Sequence, residues 1–313
     1  MKILHIADSV MAYVPARFVD LTNKYTEHEA RLIQLKSFHI GNPLKVPLLM
    51  GTDLITDALH WADFLHFHGC HSFNRRKIVI GHQVVAIDKF MKKPFVLEHH
   101  GSPVRENFKN FQKAVPVIVS TPEMLPLFPN STFFPNLIDE TDVNFYKPRI
   151  IREDKAIKIC HHFSFHRRVK NTNNFLLARQ HLINSIYELQ LLEKASIDKT
   201  IAKRAEFDCV FDHLQGYYGL ISIEGLAQGL LTINNCGFRN FYGFDTDSML
   251  ELKKFFGKRP PFFIAGDDLY QSILRINRET IERHSEAGKK FMSENWSGKK
   301  NIHRLIELYQ KLN

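Results

Sequence analysis

Short, unbroken apolar runs separated by segments of helical period recur along this chain, and that alternation restricts the fold more than any other feature. Lys2–Ala7, Arg31–Leu35, Phe64–His68, Pro94–His99 and Pro116–Ser120 are such runs, rich in Val, Ile, Leu or Phe. A strand that is apolar at successive positions is covered on both faces, as in a parallel sheet. Between the runs lie helix candidates at Ala16–Tyr25, Thr52–Trp61 and Arg75–Met91. Alternation of this kind builds βαβ units and a doubly wound α/β sheet. The pattern pauses after Thr132–Pro135, where Asn136–Glu153 is polar, contains Pro and lacks a period. It resumes with strand candidates Ile157–His161, Glu188–Leu192, Asp208–Phe211, Leu230–Asn234 and Pro261–Ala265. A helix is expected to start at Ser196 with Asp198 in its first turn, and Asp267–Glu294 and Lys300–Leu312 read as helical. The expected organisation is an N-terminal Rossmann-like domain over residues 1–150, a second over 151–295 and a closing helix over 296–313. Ligands of such sheets bind beyond the carboxyl ends of the strands, and the cleft between two domains is the natural place.

Composition narrows the chemistry only a little. The hydrophobic fraction is 44%, which argues for a packed globular chain and against disorder. The net charge of +9 suits a polyanionic partner: a phosphorylated ligand, an anionic membrane face or nucleic acid. No nucleic-acid recognition motif is present, so no nucleic-acid partner is expected. The 4 cysteines, Cys70, Cys160, Cys209 and Cys236, show no paired spacing, so neither a disulfide framework nor a zinc motif is visible. A reducing cytoplasm fits them best. The N-terminal stretch has no sustained apolar core, so no signal peptide is expected, and no apolar run reaches the roughly 18 residues of a membrane span.

Three segments carry candidate chemistry. In Asp208–Asn234, a strand runs into the turn Gly216-Tyr217-Tyr218-Gly219, and a helix opens near Leu220. A helix N-terminus with its unpaired N–H groups suits phosphate, and glycine lets backbone approach a ligand closely. Glu224, one turn in, is either a carboxylate for the paired hydroxyls of a ribose or a solvated residue favoured by the helix dipole. In Ile157–Thr172, a strand leads to His166, Arg167, Arg168 and Lys170, which would neutralise a diphosphate or form a solvated basic loop. In Pro94–Arg105, a strand ends in Glu98, His99, His100 and Gly101, and the preceding strand ends with His66, His68 and His71. Neutral imidazoles there can relay protons near pH 7. Their spacing is not that of the common zinc motifs, so no metal is expected.

The segment YYGLISIEGLAQGLLTIN resembles the signature of GT-B glycosyltransferases, especially family 4, in which a Gly-aromatic-Gly turn precedes a Glu-bearing helix and a small apolar strand. HHFSFHRRVK, VLEHHGSPVR, VSTPEMLPLFPNSTFFPNLID and FMSENWSGKKNIHRLIELYQKL are similar, in order and spacing, to further stretches of one subgroup. The resemblance implies two Rossmann-like domains, with the C-terminal helix returning to the first. It implies a metal-independent, retaining, hexosyl-type transfer from a nucleotide diphosphate sugar to a glycan, lipid-linked or polysaccharide-precursor acceptor, without any cofactor. His100, Lys170 and Arg167 would be catalytic. Glu224, Gly216, Tyr218, Gly219 and Leu220 would bind the donor with Arg167 and Lys170, and Gly219 and Leu220 would offer amides to phosphate. His99, Arg105 and Ser9 would meet the acceptor. Basic residues such as Lys89, Lys92 and Lys93 would dock a cytoplasmic enzyme on an anionic membrane face. The chain departs from the family pattern at Gly216, where a Glu is usual, at Asn171, where a Gly follows the loop Lys, and at Pro103, where an Asp is usual. The first two motivate the alternative of a non-catalytic module of the same fold that binds a nucleotide or a protein partner.

Overall fold

The computed structural model describes residues 1–7, 13–34, 48–49, 52–69, 77–80, 83–86, 90, 92–100, 115–143, 146–151, 155–162, 170–192, 197–237 and 247–312. The chain forms two compact units, one of Met1–Asp139 with Gly298–Asn313 and the other of Glu140–Ser297.

The strands of the first unit are β1 (Lys2–Ala7), β2 (Glu29–Gln34), β3 (Leu48–Leu49), β4 (Phe64–His68), β5 (Lys77–Ile80), β6 (Gln83–Ala86), β7 (Phe95–His99), β8 (Val117–Val119) and β9 (Ser131–Phe133). Seven of these form a sheet in the order β3-β2-β1-β4-β7-β8-β9, every described pair parallel. The chain winds outward from β1 in one direction and from β4 in the other, so the topological switch lies between them. The helices Val14–Tyr25 and Gly298–Leu312 pack in this unit, with Phe18, Leu21, Ile302, Leu305 and Tyr309 buried.

The helix expected over Arg75–Met91 does not form: β5 and β6 are an antiparallel pair with Ile80 opposite Gln83. The reason is legible in hindsight. Ile78, Val79, Ile80, Val84 and Val85 are β-branched, and the Gly81-His82 dipeptide between them in the sequence is a hairpin signal that outweighs the weak helical period.

The second unit contributes β10 (Ile157–His162), β11 (Tyr187–Leu192), β12 (Cys209–Phe211), β13 (Leu231–Asn234) and β14 (Phe263–Ile264), in the parallel order β11-β10-β12-β13-β14. Its switch point lies between β10 and β12. Alternate residues serve opposite cores. Ile157, Ile159, Cys209, Phe211, Leu231 and Ile233 face one cluster with Phe175, Leu269 and Ile273, while Cys160, Val210 and Leu230 face another with Ile221. Burial on both faces is why these strands read as continuous apolar runs. The helical stretch expected over Asp267–Glu294 is divided into Leu269–Ile273 and Arg278–Phe291, because Asp268 and Asn277 each cap a helix start, accepting from the amides of Gln271 and Thr280. The expected start at Ser196 lies outside the described residues, and the helix described there is Ile197–Arg204. Among the described residues, no helix is long and apolar enough to cross a membrane.

The helix Leu220–Gln228 lies close against β12 and β13. A Cβ at Gly225 would sit 2.6 Å from both Thr232 Oγ1 and Val210 Cγ1, stiff β-branched side chains that cannot swing aside. Alanine in a helix ordinarily stabilises by about 1 kcal/mol over glycine. Here overpacking is the larger effect. The expected result for Gly225→Ala is a net loss of about 1–3 kcal/mol in urea unfolding, against the sign that propensity alone would give.

Candidate functional site

At the switch point of the second unit, the carboxylate of Asp212 follows β12 and is fully buried. It accepts from the Lys170 ammonium at 2.7 Å, from the Gly219 amide at 2.7 Å and from the Ser222 hydroxyl at 2.8 Å. Asn234, at the end of β13, donates in turn to Ser222 Oγ at 2.9 Å. Burial pushes the Asp212 carboxyl up. The His213 and Lys170 charges, with the hydrogen bonds from Lys170 and Ser222, outweigh burial and hold it well below the usual carboxylate range. One group thus ties together Lys170, the end of β12 and the mouth of the helix Leu220–Gln228. Gly219 is required by closeness: a Cβ there would lie 2.6 Å from Asp212 Oδ2 and 3.0 Å from Lys170 Nζ. The Lys170 side chain remains 20% exposed, so its ammonium sits at the rim with two further N–H donors beyond the one given to Asp212.

Asn171, where the family pattern has glycine, adopts φ 52° and ψ 34°, the left-handed region. Asn is the side chain that tolerates this region best after Gly. It also accepts, through Oδ1, from the Leu214 amide at 2.8 Å and the Gln215 amide group at 3.0 Å. The departure at this position therefore keeps the backbone geometry and ties the two loops together. Gly216 has φ 80°, and its amide donates to Asn235 Oδ1 at 2.7 Å. A longer residue there would be strained, so the glycine serves the turn.

Glu224 is neither a solvated residue nor an open carboxylate. It is 2% exposed, and its Oε2 accepts from Arg204 Nη2 at 2.5 Å. His162 lies in the field of this pair and of Lys170 and Asp212, and burial foremost pushes its imidazole down to about 4. His161 is likewise pushed down to about 4 by burial. Its Nδ1–H donates to the Phe211 carbonyl at 3.0 Å and its Nε2 accepts from the Thr172 hydroxyl at 3.0 Å, which fixes a neutral tautomer. Tyr218 is fully buried, edge-on to Trp296 at 5.2 Å. Its ring also stacks on that of Phe262 at 6.3 Å, so the side chain anchors the turn in the interior. Ser9, His71, Lys89, Arg105, His166, Arg167 and Arg168 lie outside the described residues.

The first unit has a second polar group. The register sets His5 beside His66 and His68 beside Glu98, so these side chains share one face of the sheet with His100. His5 Nδ1 and His68 Nε2 are 2.9 Å apart, and His66 Nδ1 is 2.6 Å from the Tyr309 hydroxyl. Burial pushes His5 down to about 3 and His66 and His68 well below their usual value. His100 is the least buried of the set. His99, expected at the acceptor, is 2% exposed, with its ring 4.5 Å from that of Phe128, and belongs to the interior of the unit.

No protein-family model matches the chain, and no curated protein matches it. Solved structures do. A glycosyltransferase from Rickettsia africae ESF-5 is similar over 99% of this chain and 98% of its own, at TM-score 0.60 and 11% identity. An alpha-glucosyltransferase in complex with UDP and a 13-mer DNA containing a HMU base is similar over 99% of each chain, at TM-score 0.62 and 10% identity. The catalytic domain of Starch Synthase IV from Arabidopsis thaliana, bound to ADP and acarbose, is similar over 100% of this chain and 99% of its own, at TM-score 0.62 and 10% identity. At such identities the likeness shows the fold: two parallel-sheet, Rossmann-like domains, as in GT-B glycosyltransferases.

Two outcomes follow from the second unit. Glu224→Ala strands a buried guanidinium and is expected to cost about 3–5 kcal/mol of stability, while Glu224→Gln, which keeps an acceptor for Arg204, costs less. Urea unfolding of the two variants separates them. For His161 the unfolded state binds a proton near pH 6.5 and the folded state only near 4. Stability is then full above pH 6.5 and falls as pH drops toward 4, by an amount of the order of 3 kcal/mol for this residue. His161→Gln should flatten the unfolding free energy over that window by a similar amount.

Proposed function

We propose that the chain is a glycosyltransferase that takes a nucleotide diphosphate sugar at the helix mouth of its second unit. The observation that carries this reading is the convergence of Lys170 and the start of the helix Leu220–Gln228 on one small region at the switch point of a parallel sheet, where the Gly219 amide, expected at phosphate, is instead given to Asp212. Such a region favours negative charge through its oriented N–H groups and its cation. Asp212 occupies the inner side and holds Lys170 in place, and phosphate is met by the outward donors of the ammonium and by the amides of the first helical turn. The likeness in fold to glycosyltransferases, two of them in complex with UDP or ADP, supports the same choice.

In the reaction, the bond between the anomeric carbon and the β-phosphate oxygen breaks. A bond from that carbon to an acceptor hydroxyl oxygen forms, and the hydroxyl proton passes to the departing phosphate oxygen, which has gained the electron pair of the broken bond. Charge grows on the departing diphosphate. Lys170, with Arg167 contributed by the preceding loop, stabilises that charge without the solvent having to reorganise. These two cations supply at the diphosphate what a divalent ion supplies elsewhere, so transfer is taken to be metal-independent there. The family resemblance favours retention at the anomeric carbon, a glycan or lipid-linked acceptor, and His100 beside the reacting sugar. Glu224, buried on Arg204, is read as supporting the helix that bears the donor site, and the ribose contact implied by the family resemblance would require that pair to open.

The test is turnover. Nucleoside diphosphate release is measured from a panel of nucleotide sugars with glycan and lipid-linked acceptors, in the presence and absence of EDTA. Wild-type protein should release product from one donor whether or not EDTA is present. Lys170→Ala should lower kcat about 100- to 1,000-fold, with a much smaller change in donor affinity, since the phosphate charge is greatest in the transition state. Donor binding without release from any sugar would leave a non-catalytic nucleotide-binding module. Unchanged turnover in Lys170→Ala would remove the lysine from the site.

A further inference from the structure

The polar group inside the first unit is unlike the rest of its sheet. Three ligand-type atoms meet where β4 and β7 end. His68 Nδ1 lies 3.2 Å from Glu98 Oε2 and 3.3 Å from His100 Nε2, and His100 Nε2 lies 3.5 Å from Glu98 Oε1. A tetrahedral ion with ligands at about 2.0–2.1 Å sets neighbouring ligand atoms about 3.3 Å apart. The two imidazole nitrogens are that far apart, each faces a different oxygen of the Glu98 carboxylate at 3.2–3.5 Å, and one donor atom from each residue lies within 4.8 Å of the others, which makes this one of the two groups among the described residues with the donors to hold a metal.

Hydrogen bonding does not account for the arrangement equally well. The imidazole nitrogens stand 3.0–3.5 Å from the Glu98 oxygens, and among the described residues neither carboxylate oxygen accepts a hydrogen bond of good geometry. A carboxylate with a fully buried side chain and no aligned donor is strongly disfavoured unless a cation sits against it. His68 Nδ1 and His100 Nε2 share a hydrogen bond, and an ion would take the place of that proton between two nitrogens and a carboxylate gathered within 4.8 Å.

The surroundings have the form expected of an outer shell. The second nitrogen of His68, Nε2, is 2.9 Å from His5 Nδ1. Glu98 Oε2 is also 3.0 Å from His66 Nε2, and His66 is fixed through its other nitrogen by the Tyr309 hydroxyl at 2.6 Å. Ligating imidazoles and carboxylates are oriented by second contacts of this kind, which set the tautomer and ring plane. Phe18 packs against the rings of His5, His66 and His68 at 6.0–6.2 Å and closes the group on that side. Among the described residues of the group, His100, with a side chain 10% exposed, is the one that reaches solvent.

We propose that the first unit holds one divalent transition-metal ion, zinc by its donor set, on His68 Nδ1, the Glu98 carboxylate and His100 Nε2. Two imidazoles and a carboxylate around a tetrahedral centre leave a fourth position for water or a ligand oxygen, on the side of His100. With Nε2 on the ion, His100 keeps only Nδ1 for a substrate hydroxyl. The site shares no residue with the diphosphate site of the second unit, so either of those two assignments can fail without the other, and only the placing of His100 beside the reacting sugar is common ground. The sequence spacing concealed it because the ligands come from two strands that are neighbours in the sheet but 30 residues apart in the chain, with only Glu98-x-His100 as a local trace.

The full-length protein, stripped by chelator dialysis, is titrated with Co²⁺ and followed by visible absorption, then with Zn²⁺ in competition against a metallochromic chelator. The expected result is one Co²⁺ per chain with the intense visible bands of a four-coordinate ion, displaced by one Zn²⁺. His100→Ala replaces the most exposed ligand and is checked for native circular dichroism. It should weaken Zn²⁺ binding at least about 100-fold, as should Glu98→Gln. No uptake of either ion by the folded wild-type protein would overturn the site and leave the carboxylate neutralised by a proton on the cluster. Equal Zn²⁺ affinity in folded His100→Ala would overturn it as well.

Discussion

The buried carboxylate of Asp212 accepts from the Lys170 ammonium, the Gly219 amide and the Ser222 hydroxyl, and most of the second unit's local geometry follows from those three contacts. They join Lys170, the end of β12 and the first turn of the helix Leu220–Gln228. A lone carboxylate could not be buried there. A lone lysine would lose rotamer freedom on being held at the rim, and the carboxylate offsets that loss. The pairing also explains why position 219 must be glycine, since any side chain would displace one partner or the other. A phosphate approaching this region meets a cation already oriented, and preorganisation of that kind lowers the barrier when charge develops on a leaving group.

The architecture was legible because both sheets are parallel and covered on two faces. Apolar runs such as Ile3-Leu4 in β1 and Cys209-Val210-Phe211 in β12 leave little other choice. The Gly216–Gly219 turn and the helix after it were legible for the same reason, as a tight strand-to-helix connection at a switch point. What the local pattern could not show is which polar residues turn inward. Glu224 is buried because Arg204, 20 residues earlier, meets it from a neighbouring helix, and Tyr218 because Trp296 and Phe262 stand over it. Neither partner is close in sequence. Asn171 reads as a departure from the family pattern, yet its left-handed backbone makes it a substitute that adds two hydrogen bonds. The β5–β6 pair was misread because β-branched residues at Ile78–Ile80 and Val84-Val85 were weighed by period rather than by propensity.

The two units use the same sheet differently. In the second, the strands near the switch point are mainly apolar, and their fully buried polar side chains are His161 of β10 and Thr232 and Asn234 of β13. In the first, His5, His66, His68 and Glu98 carry polarity into the middle of β1, β4 and β7. Burial keeps the first three imidazoles neutral, the state in which they act as hydrogen-bond relays or ligands rather than as charges. A sheet interior pays for such groups only where they hold something together, and here they tie β1, β4 and β7 to the Tyr309 end of the C-terminal helix.

The central claim is that Lys170, held by Asp212, faces the diphosphate of a nucleotide. The most direct measurement is the ³¹P resonance of the common nucleoside diphosphates titrated with the protein and with its Lys170→Ala variant. With the wild-type protein, one nucleotide should bind at one per chain and its β-phosphorus signal should move. With Lys170→Ala that displacement should shrink selectively, the α-phosphorus being less affected. A β-phosphorus signal that moves identically with both proteins, or that moves with neither, would contradict the assignment.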